Sequence, residues 1–331
     1  DSAFEDAGAS IGADLAGTVK GAEVILKILP PTAEEIAAFE KGQKVFSIMW
    51  PYAEPEAMKA CAENGVDAFA MELMPRITRA QSMDVLSSQS NLAGYKAVLE
   101  AANLYGRAMP QMMTAAGTVA PAKVFVMGAG VAGLQAIATA RRLGAIVTAT
   151  DVRPATEEQV ASLGAKFIAV KNEEFAQAQT AGGYAKEMSD DYKRQQAELV
   201  AGHIAKQDIV VTTALIPGRT APILVNKDMV ASMKPGSIIV DLAVEQGGNV
   251  EGAELDQIVE TGNGVKIIGF PNMPGRLATD ASSLFARNHL NFLTPFFNEG
   301  ALELDEEDDL VKGVRLTRDG AVVHPNLVKE G

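Results

Sequence analysis

The sequence predicts an α/β protein of two doubly wound domains with parallel sheets, joined by long helices. From residue 123, short apolar strands recur at Val124–Met127, Ile146–Thr150, Phe167–Val170, Ile209–Thr212, Ile238–Leu242 and Val265–Ile268. Helical patterns such as Val131–Leu143 and Thr156–Leu163 separate them. Strands alternating with helices give a parallel sheet covered on both faces. The first 75 residues carry the same rhythm, with strands at Lys44–Met49 and Val66–Leu73 and a helix over Pro55–Asn64 that Gly65 ends. Two amphipathic runs, Asn91–Arg107 and Ala281–Thr294, have the length to pass between domains. The expected division is 1–86 with 283–331 as a first Rossmann-like domain, and 87–282 as a second.

Composition narrows the classes of function. The 331 residues carry 29 basic and 42 acidic side chains, a net charge of −13, which repels a nucleic-acid backbone. Cys61 is the only cysteine, so the chain forms no internal disulfide and no sulfur cluster. His203, His289 and His324 are scattered without metal-ligand spacing, and no metal site is expected. No apolar run reaches the roughly 18–20 residues that span a bilayer, and no secretory signal opens the chain. A cytoplasm-facing protein is expected. The chain opens Asp1-Ser2-Ala3-Phe4 without a methionine, so a preceding segment is expected too.

The densest chemical signal is Val124-Phe125-Val126-Met127-Gly128-Ala129-Gly130-Val131-Ala132-Gly133, a strand, a glycine turn and the start of a helix. Gly128 permits the tight turn, Gly130 lets backbone approach a pyrophosphate, and Gly133 lets the helix pack on the strand. The helix N-terminus offers unpaired N–H groups to phosphate. Alone the spacing is weak. Here a second strand follows and ends in Asp151, 18 residues past Gly133, where a ribose-binding acid belongs. A carboxylate there accepts from the ribose hydroxyls and repels a 2′-phosphate, so NAD(H) is expected over NADP(H). Arg153 complicates that reading, because arginine can receive a 2′-phosphate.

Met71–Ser88 is dense in Arg, Gln, Asp and Ser after Pro75. If Gln81–Ser88 is helical, Gln81, Asp84 and Ser88 share a face, with Arg76 and Arg79 able to pair with Asp84 or a phosphate. A capped surface helix would look the same. Residues 177–196 contain the small, polar run Ala181-Gly182-Gly183-Tyr184-Ala185-Lys186, either a lid or a decorated crossover.

Five separated blocks then carry a resemblance: Met71–Tyr95, Gly128–Gly133, Ala181–Met188, Thr212–Gly218 and Asp241–Gly248. Together they resemble the NAD(H)-binding component of proton-translocating nicotinamide nucleotide transhydrogenase. The family's usual opening, a strand and a KERxxGExRVA-like segment, does not precede Asp1. The resemblance implies that Arg76, Ile77, Thr78 and Arg79 lie near the cofactor. Gln81 matches the glutamine at the nicotinamide, with Asp84 and Ser87 in the same loop; Gln81, Asp84 and Arg76 are the expected catalytic positions. Val131, Asp151, Val152, Arg153, Gly183, Tyr184, Gln196 and Leu215 match further cofactor contacts, Tyr184 on a loop that closes over NAD(H). The implied reaction is hydride transfer from NADH to NADP⁺ held by a partner NADP(H)-binding component. The implied setting is a homodimer, peripheral to the cytoplasmic side of the inner membrane through partners that include a membrane-spanning component.

Two rivals remain. Alanine dehydrogenase shares the fold, but its chemistry needs a histidine, a lysine, an arginine and an aspartate on the substrate side. Lys27 stands at the lysine position, Trp50 where the histidine belongs, and Glu245 replaces the aspartate. A non-catalytic NAD sensor is the other, against which the polar Arg76–Ser88 loop argues.

Overall fold

Parallel strand pairing, the only kind open to strands joined through helices, organises both halves of the chain. The computed structural model describes residues 1–178, 188–216 and 218–328. These divide into two units, residues 1–88 with 282–331 and residues 89–281.

In the first unit, β1 (Val24–Leu26), β2 (Lys44–Ser47) and β3 (Asp67–Ala70) pair in parallel in that order. Helix α1 (Ala33–Ala38) follows β1 and starts in a reciprocal cap between Thr32 and Glu35. Helix α2 (Pro55–Glu63) follows β2, with Pro55 preset for a first helical turn. Strand β3 is shorter than the apolar run Val66–Leu73, because the chain tightens into a 3₁₀ turn at Met71–Leu73 before Pro75. Phe46 and Phe69 stack at 4.3 Å between ring centres, and Phe292 tilts against Phe46 at 5.8 Å. Cys61 on α2 is fully buried, and that burial pushes its thiol up to about 12.

Helix α3 (Val85–Leu104) carries the chain into the second unit. It starts six residues before the expected Asn91 and ends three before Arg107. An exposed hairpin, β4 (Met112–Thr114) with β5 (Gly117–Val119), comes next and has no counterpart among the expected elements. The main sheet follows: β6 (Lys123–Met127), helix α4 (Val131–Arg142), β7 (Ile146–Thr150), helix α5 (Thr156–Ser162) and β8 (Lys166–Phe167). Helix α6 (Asp190–Ile204), β9 (Ile209–Thr212), helix α7 (Lys227–Ser232), β10 (Ile238–Asp241), β11 (Ile258–Glu260) and β12 (Lys266–Ile268) complete it. The order is β11-β12-β10-β9-β6-β7-β8, parallel throughout except for β11, an antiparallel edge strand that sequence periodicity did not reveal. Strand β8 stops at Phe167 rather than reaching Val170, because the Val170 N–H donates to the Gln196 side chain on α6 at 2.9 Å.

Helix α8 (Ala278–Leu293) returns the chain to the first unit and runs into a 3₁₀ turn at Thr294–Phe296 that contains Pro295. Helix α9 (Asp309–Val314) follows, capped by the Asp308 carboxylate. No helix among the described residues is long and apolar enough to cross a membrane.

Within the second unit, Ala93, Ala97 and Ala101 give α3 a buried small-residue face. Gly94 completes it, because a Cβ there would lie 2.0 Å from the Ala132 carbonyl oxygen at the start of α4. Gly94→Ala should therefore destabilise the protein by about 1–3 kcal/mol through overpacking, measured by urea denaturation. It should also loosen the N-terminus of α4. Unchanged stability would show that the two helices can separate freely.

Candidate functional site

The second sheet reverses its strand order between β6 and β9: β7 and β8 lie to one side, β9, β10 and β12 to the other. In an open α/β sheet the crevice beyond the carboxyl ends at such a reversal is where a nucleotide sits. β6 enters it through Gly128, whose φ of 104° lies in the region glycine tolerates. A Cβ on Gly128 would lie 2.4 Å from Thr213 Oγ1, and one on Gly133 would lie 1.8 Å from the Gly128 carbonyl oxygen. A Cβ on Gly130 would meet nothing within 4 Å. Two of the glycines are thus required by close packing, and the third stands open at the mouth of the turn. Gly130 caps α4 without a side-chain acceptor, so the first-turn N–H groups face outward for an anion. From the far side of the reversal, the Thr213 hydroxyl donates to the Gly128 carbonyl at 3.1 Å. This cradle fits a dinucleotide pyrophosphate.

Asp151 follows β7 directly. Its Oδ2 accepts from the Ala129 N–H at 2.7 Å and from Arg153 Nη2 at 2.8 Å. Its Oδ1 accepts from the Arg153 N–H at 2.9 Å and from Arg153 Nε at 2.8 Å. The hydrogen-bonded carboxylate raises the guanidinium above its ordinary range. The Arg153 charge is therefore turned onto Asp151. Gln196 donates to Thr150 Oγ1 at 3.1 Å and supports the end of the same strand. Val131, Val152 and Leu215 are exposed at strand ends and helix start, apolar surface of the kind an adenine ring covers. Gly183 and Tyr184, with the expected closing loop, lie outside the described residues.

A buried polar network that sequence reading missed holds the loops after β9 and β10. Asp241 accepts from the Ala243, Asn249 and Val250 N–H groups at 2.9, 2.8 and 3.0 Å, and from Thr212 Oγ1 at 3.2 Å. Burial raises its carboxyl despite these donors. Asn249 in turn bonds both N–H and C=O of Ala214, beside Leu215. Glu245 accepts from the Asn272 N–H at 3.1 Å. The signal available in the sequence was an acid at a strand end ahead of Gly247-Gly248, both at positive φ.

The Arg76–Ser87 residues belong to the first unit, at the carboxyl end of β3. Here the structure corrects the sequence reading. Gln81–Ser88 is not one helix: Thr78–Met83 is a 3₁₀ turn, and α3 begins at Val85. The break falls at Asp84, whose carboxylate accepts from the Ser87 N–H at 2.9 Å and Ser87 Oγ at 2.5 Å, a helix cap. Asp84 therefore does not share a helical face with Gln81. Nor does Arg79 pair with Asp84. It donates to both oxygens of Asp308 at 2.8 and 2.5 Å, and holds that carboxyl below its usual range. Arg76, Ile77, Thr78 and Gln81 are exposed. Their turn is pinned from α8, where Asn288 and Asn291 each donate to the Ser82 carbonyl at 2.9 Å, and Ser88 Oγ donates to Asn288. These supports come from some 200 residues away in sequence and left no local signal.

The positions compared with alanine dehydrogenase also lie at the carboxyl ends of the first sheet. Lys27 is ion-paired with Glu35. Trp50 is partly exposed at a left-handed φ of 44°, and its N–H and that of Met49 donate to Glu72 Oε1 at 2.6 and 2.9 Å. Burial raises the Glu72 carboxyl.

Fold and cradle together define a nicotinamide-dinucleotide-binding α/β protein. The chain belongs to the alanine dehydrogenase/PNT family, whose N-terminal domain matches residues 1–93 and whose C-terminal domain matches residues 97–325. It is 53% identical over 338 residues to an NAD(P) transhydrogenase alpha subunit from Rhodospirillum rubrum, covering 100% of this chain and 88% of that one. It superposes on the crystal structure of a transhydrogenase from Sinorhizobium meliloti with a TM-score of 0.87 and 59% identity, over 98% of this chain and 87% of that one. The alanine dehydrogenase of Halomonas elongata is more distant, at 30% identity over 93% of this chain and 78% of its own. The transhydrogenase likeness read from the sequence thus holds over the whole chain.

The Asp84 cap carries a direct test. Asp84→Ala should cost about 1 kcal/mol of stability in urea denaturation, while Asp84→Asn, which can still accept, should cost less. Equal losses in the two variants would mean that charge, not capping, is what matters there.

Proposed function

We propose that the second unit binds NAD(H) in preference to NADP(H), and that the chain passes hydride from NADH to NADP⁺ held on a partner NADP(H)-binding component. In this reading it is the peripheral component of a proton-translocating transhydrogenase, on the cytoplasmic side of the inner membrane through its partners. The observation that carries the reading is Asp151 fixed beside the Gly128–Gly133 turn, in a chain similar along its length to a transhydrogenase subunit.

Gly128, Gly130 and the first turn of α4 receive the pyrophosphate, and Asp151 receives the ribose hydroxyls. Val131, Val152 and Leu215 cover the adenine, with Arg153 and Gln196 at the edge of that pocket. When bound, the nicotinamide supplies the hydride. Because hydride passes between two carbon centres, no side chain has to take or give an O–H proton. The protein's role is positioning and exclusion of water. Gln81 suits that role: it stands exposed on a turn whose Ser82 carbonyl is held by two asparagines, and its amide is neutral at working pH. Arg76, Ile77, Thr78, Arg79, Asp84 and Ser87 are proposed as the rest of that loop's contribution, with Asp84 acting by capping α3. Alanine oxidation is disfavoured by Trp50 at the position where an acid–base group is needed, and by the engagement of Lys27 with Glu35.

NADH should bind at least about tenfold more tightly than NADPH, or 1.4 kcal/mol, in fluorescence titrations, and Asp151→Ala should narrow the gap. Equal affinities in the unmodified protein would sink the assignment. Gln81→Asn should slow NADH-to-NADP⁺ transfer at least about tenfold in the presence of the partner domain, as expected when reacting carbons are misplaced. NADH affinity should change by less than about 1 kcal/mol, because the phosphate and ribose contacts are untouched. Equal losses in rate and binding would reduce Gln81 to a binding contact, and oxidation of L-alanine without a partner would overturn the reading altogether. We also propose a homodimer, the commonest closed assembly. Light scattering at micromolar concentration should return twice the chain mass, and a monomer mass would refute it.

A further inference from the structure

A carboxylate has two oxygens and about four acceptor positions. On Asp151 all of them are taken. Backbone fills two: the Ala129 N–H on Oδ2 and the Arg153 N–H on Oδ1, at 2.7 and 2.9 Å. These fix the plane of the carboxylate against the phosphate turn. The other two are filled by one guanidinium, Nε on Oδ1 and Nη2 on Oδ2, both at 2.8 Å. A ribose whose neighbouring hydroxyls both donate to a carboxylate needs that same pair of positions, one on each oxygen. The guanidinium fork and the diol are competitors for one place.

The two side chains differ in which can leave. That of Asp151 is 5% exposed and that of Arg153 is 30% exposed, so the arginine is the outer partner with a route to solvent. A charge-assisted fork of this kind is stronger than a neutral hydrogen bond, so nucleotide entry works against it. The same fork turns Nε and Nη2 inward, away from the surface where a 2′-phosphate would have to approach.

We propose that Arg153 is a built-in occupant of the ribose position on Asp151, displaced when NAD(H) binds, and that its commitment to Asp151 denies a 2′-phosphate the cation it would need. Arg153 is then a specificity-determining residue that acts through Asp151 and tempers NADH affinity while excluding NADPH. The proposal rests on Asp151 being the ribose acid.

The test is a set of titrations with NADH and with NADPH on the unmodified protein, Arg153→Ala, Arg153→Lys, Asp151→Ala and the double alanine variant. Thermal melting checks that each is folded. Arg153→Ala should bind NADH about threefold or more tightly than the unmodified protein, the scale of one partly exposed ion pair. Arg153→Lys, a point charge without the fork, should fall between the two. Asp151→Ala should bind NADPH more tightly than the unmodified protein, and that gain should vanish in the double variant, because it comes from the released guanidinium. Weaker or unchanged NADH binding in Arg153→Ala would overturn the proposal, as would an NADPH gain that persists without Arg153. Absence of any NADH preference in the unmodified protein would instead bring down the ribose assignment beneath it.

Discussion

The backbones at Gly128 and Gly133 come so close that a side chain on the second would occupy the carbonyl oxygen of the first. The placement of the whole nucleotide cradle follows from that approach. It sets the start of α4 directly over the end of β6, so the unpaired N–H groups of the helix open where the strand order reverses. It brings the Gly128 carbonyl within reach of Thr213 just past β9, which ties the two strands that flank the crevice. It also leaves the Ala129 N–H pointing at Asp151, so the acid after β7 is aimed by the turn after β6. The small face of α3, with Gly94 against Ala132, extends the same logic outward: the helix carrying the phosphate turn is seated by backbone approach on two sides.

What the sequence made legible was whatever is written locally. The strands β6, β7, β9 and β10 are continuous apolar runs, and the glycine spacing with Asp151 is a local pattern with a known geometry. The division near residue 88 was marked by a change in rhythm. What escaped was decided by partners far along the chain. Phe167–Val170 reads as a strand, but a side chain on α6 takes the Val170 N–H and ends the pairing. Gln81–Ser88 reads as a helix, but Asp84 caps a later start, and Asp308 takes Arg79 from 229 residues away. The asparagines that hold Ser82 lie on an amphipathic helix where nothing distinguishes them from solvent-facing polar residues. Strand β11 and the β4–β5 hairpin are short and partly or wholly exposed, so they lack the apolar period that reveals a buried strand.

Two buried acids show a common use of carboxylates in this fold. Asp241 gathers three backbone N–H groups and a hydroxyl, and Glu72 gathers two N–H groups at a left-handed Trp50. In both, burial disfavours the charged form while the donors favour it, and burial dominates. Each sits at or just beyond a strand end, where the chain must turn and the ladder can no longer supply partners. A carboxylate is a compact side chain able to satisfy several N–H groups at once, so acids near a binding crevice here organise backbone rather than exchange protons.

The silence of Cys61 has a practical consequence. The one sulfur nucleophile in the chain is sealed inside α2's packing, with its thiol held far from ionisation at neutral pH. A cysteine introduced at an exposed position such as Ser82 or Gln195 would then react alone with maleimide dyes or spin labels. The native background needs no removal, and the core of the first unit keeps the side chain it was packed around. The chain is in this sense already a single-label scaffold, ready for distance measurements between its two units as nucleotide is added.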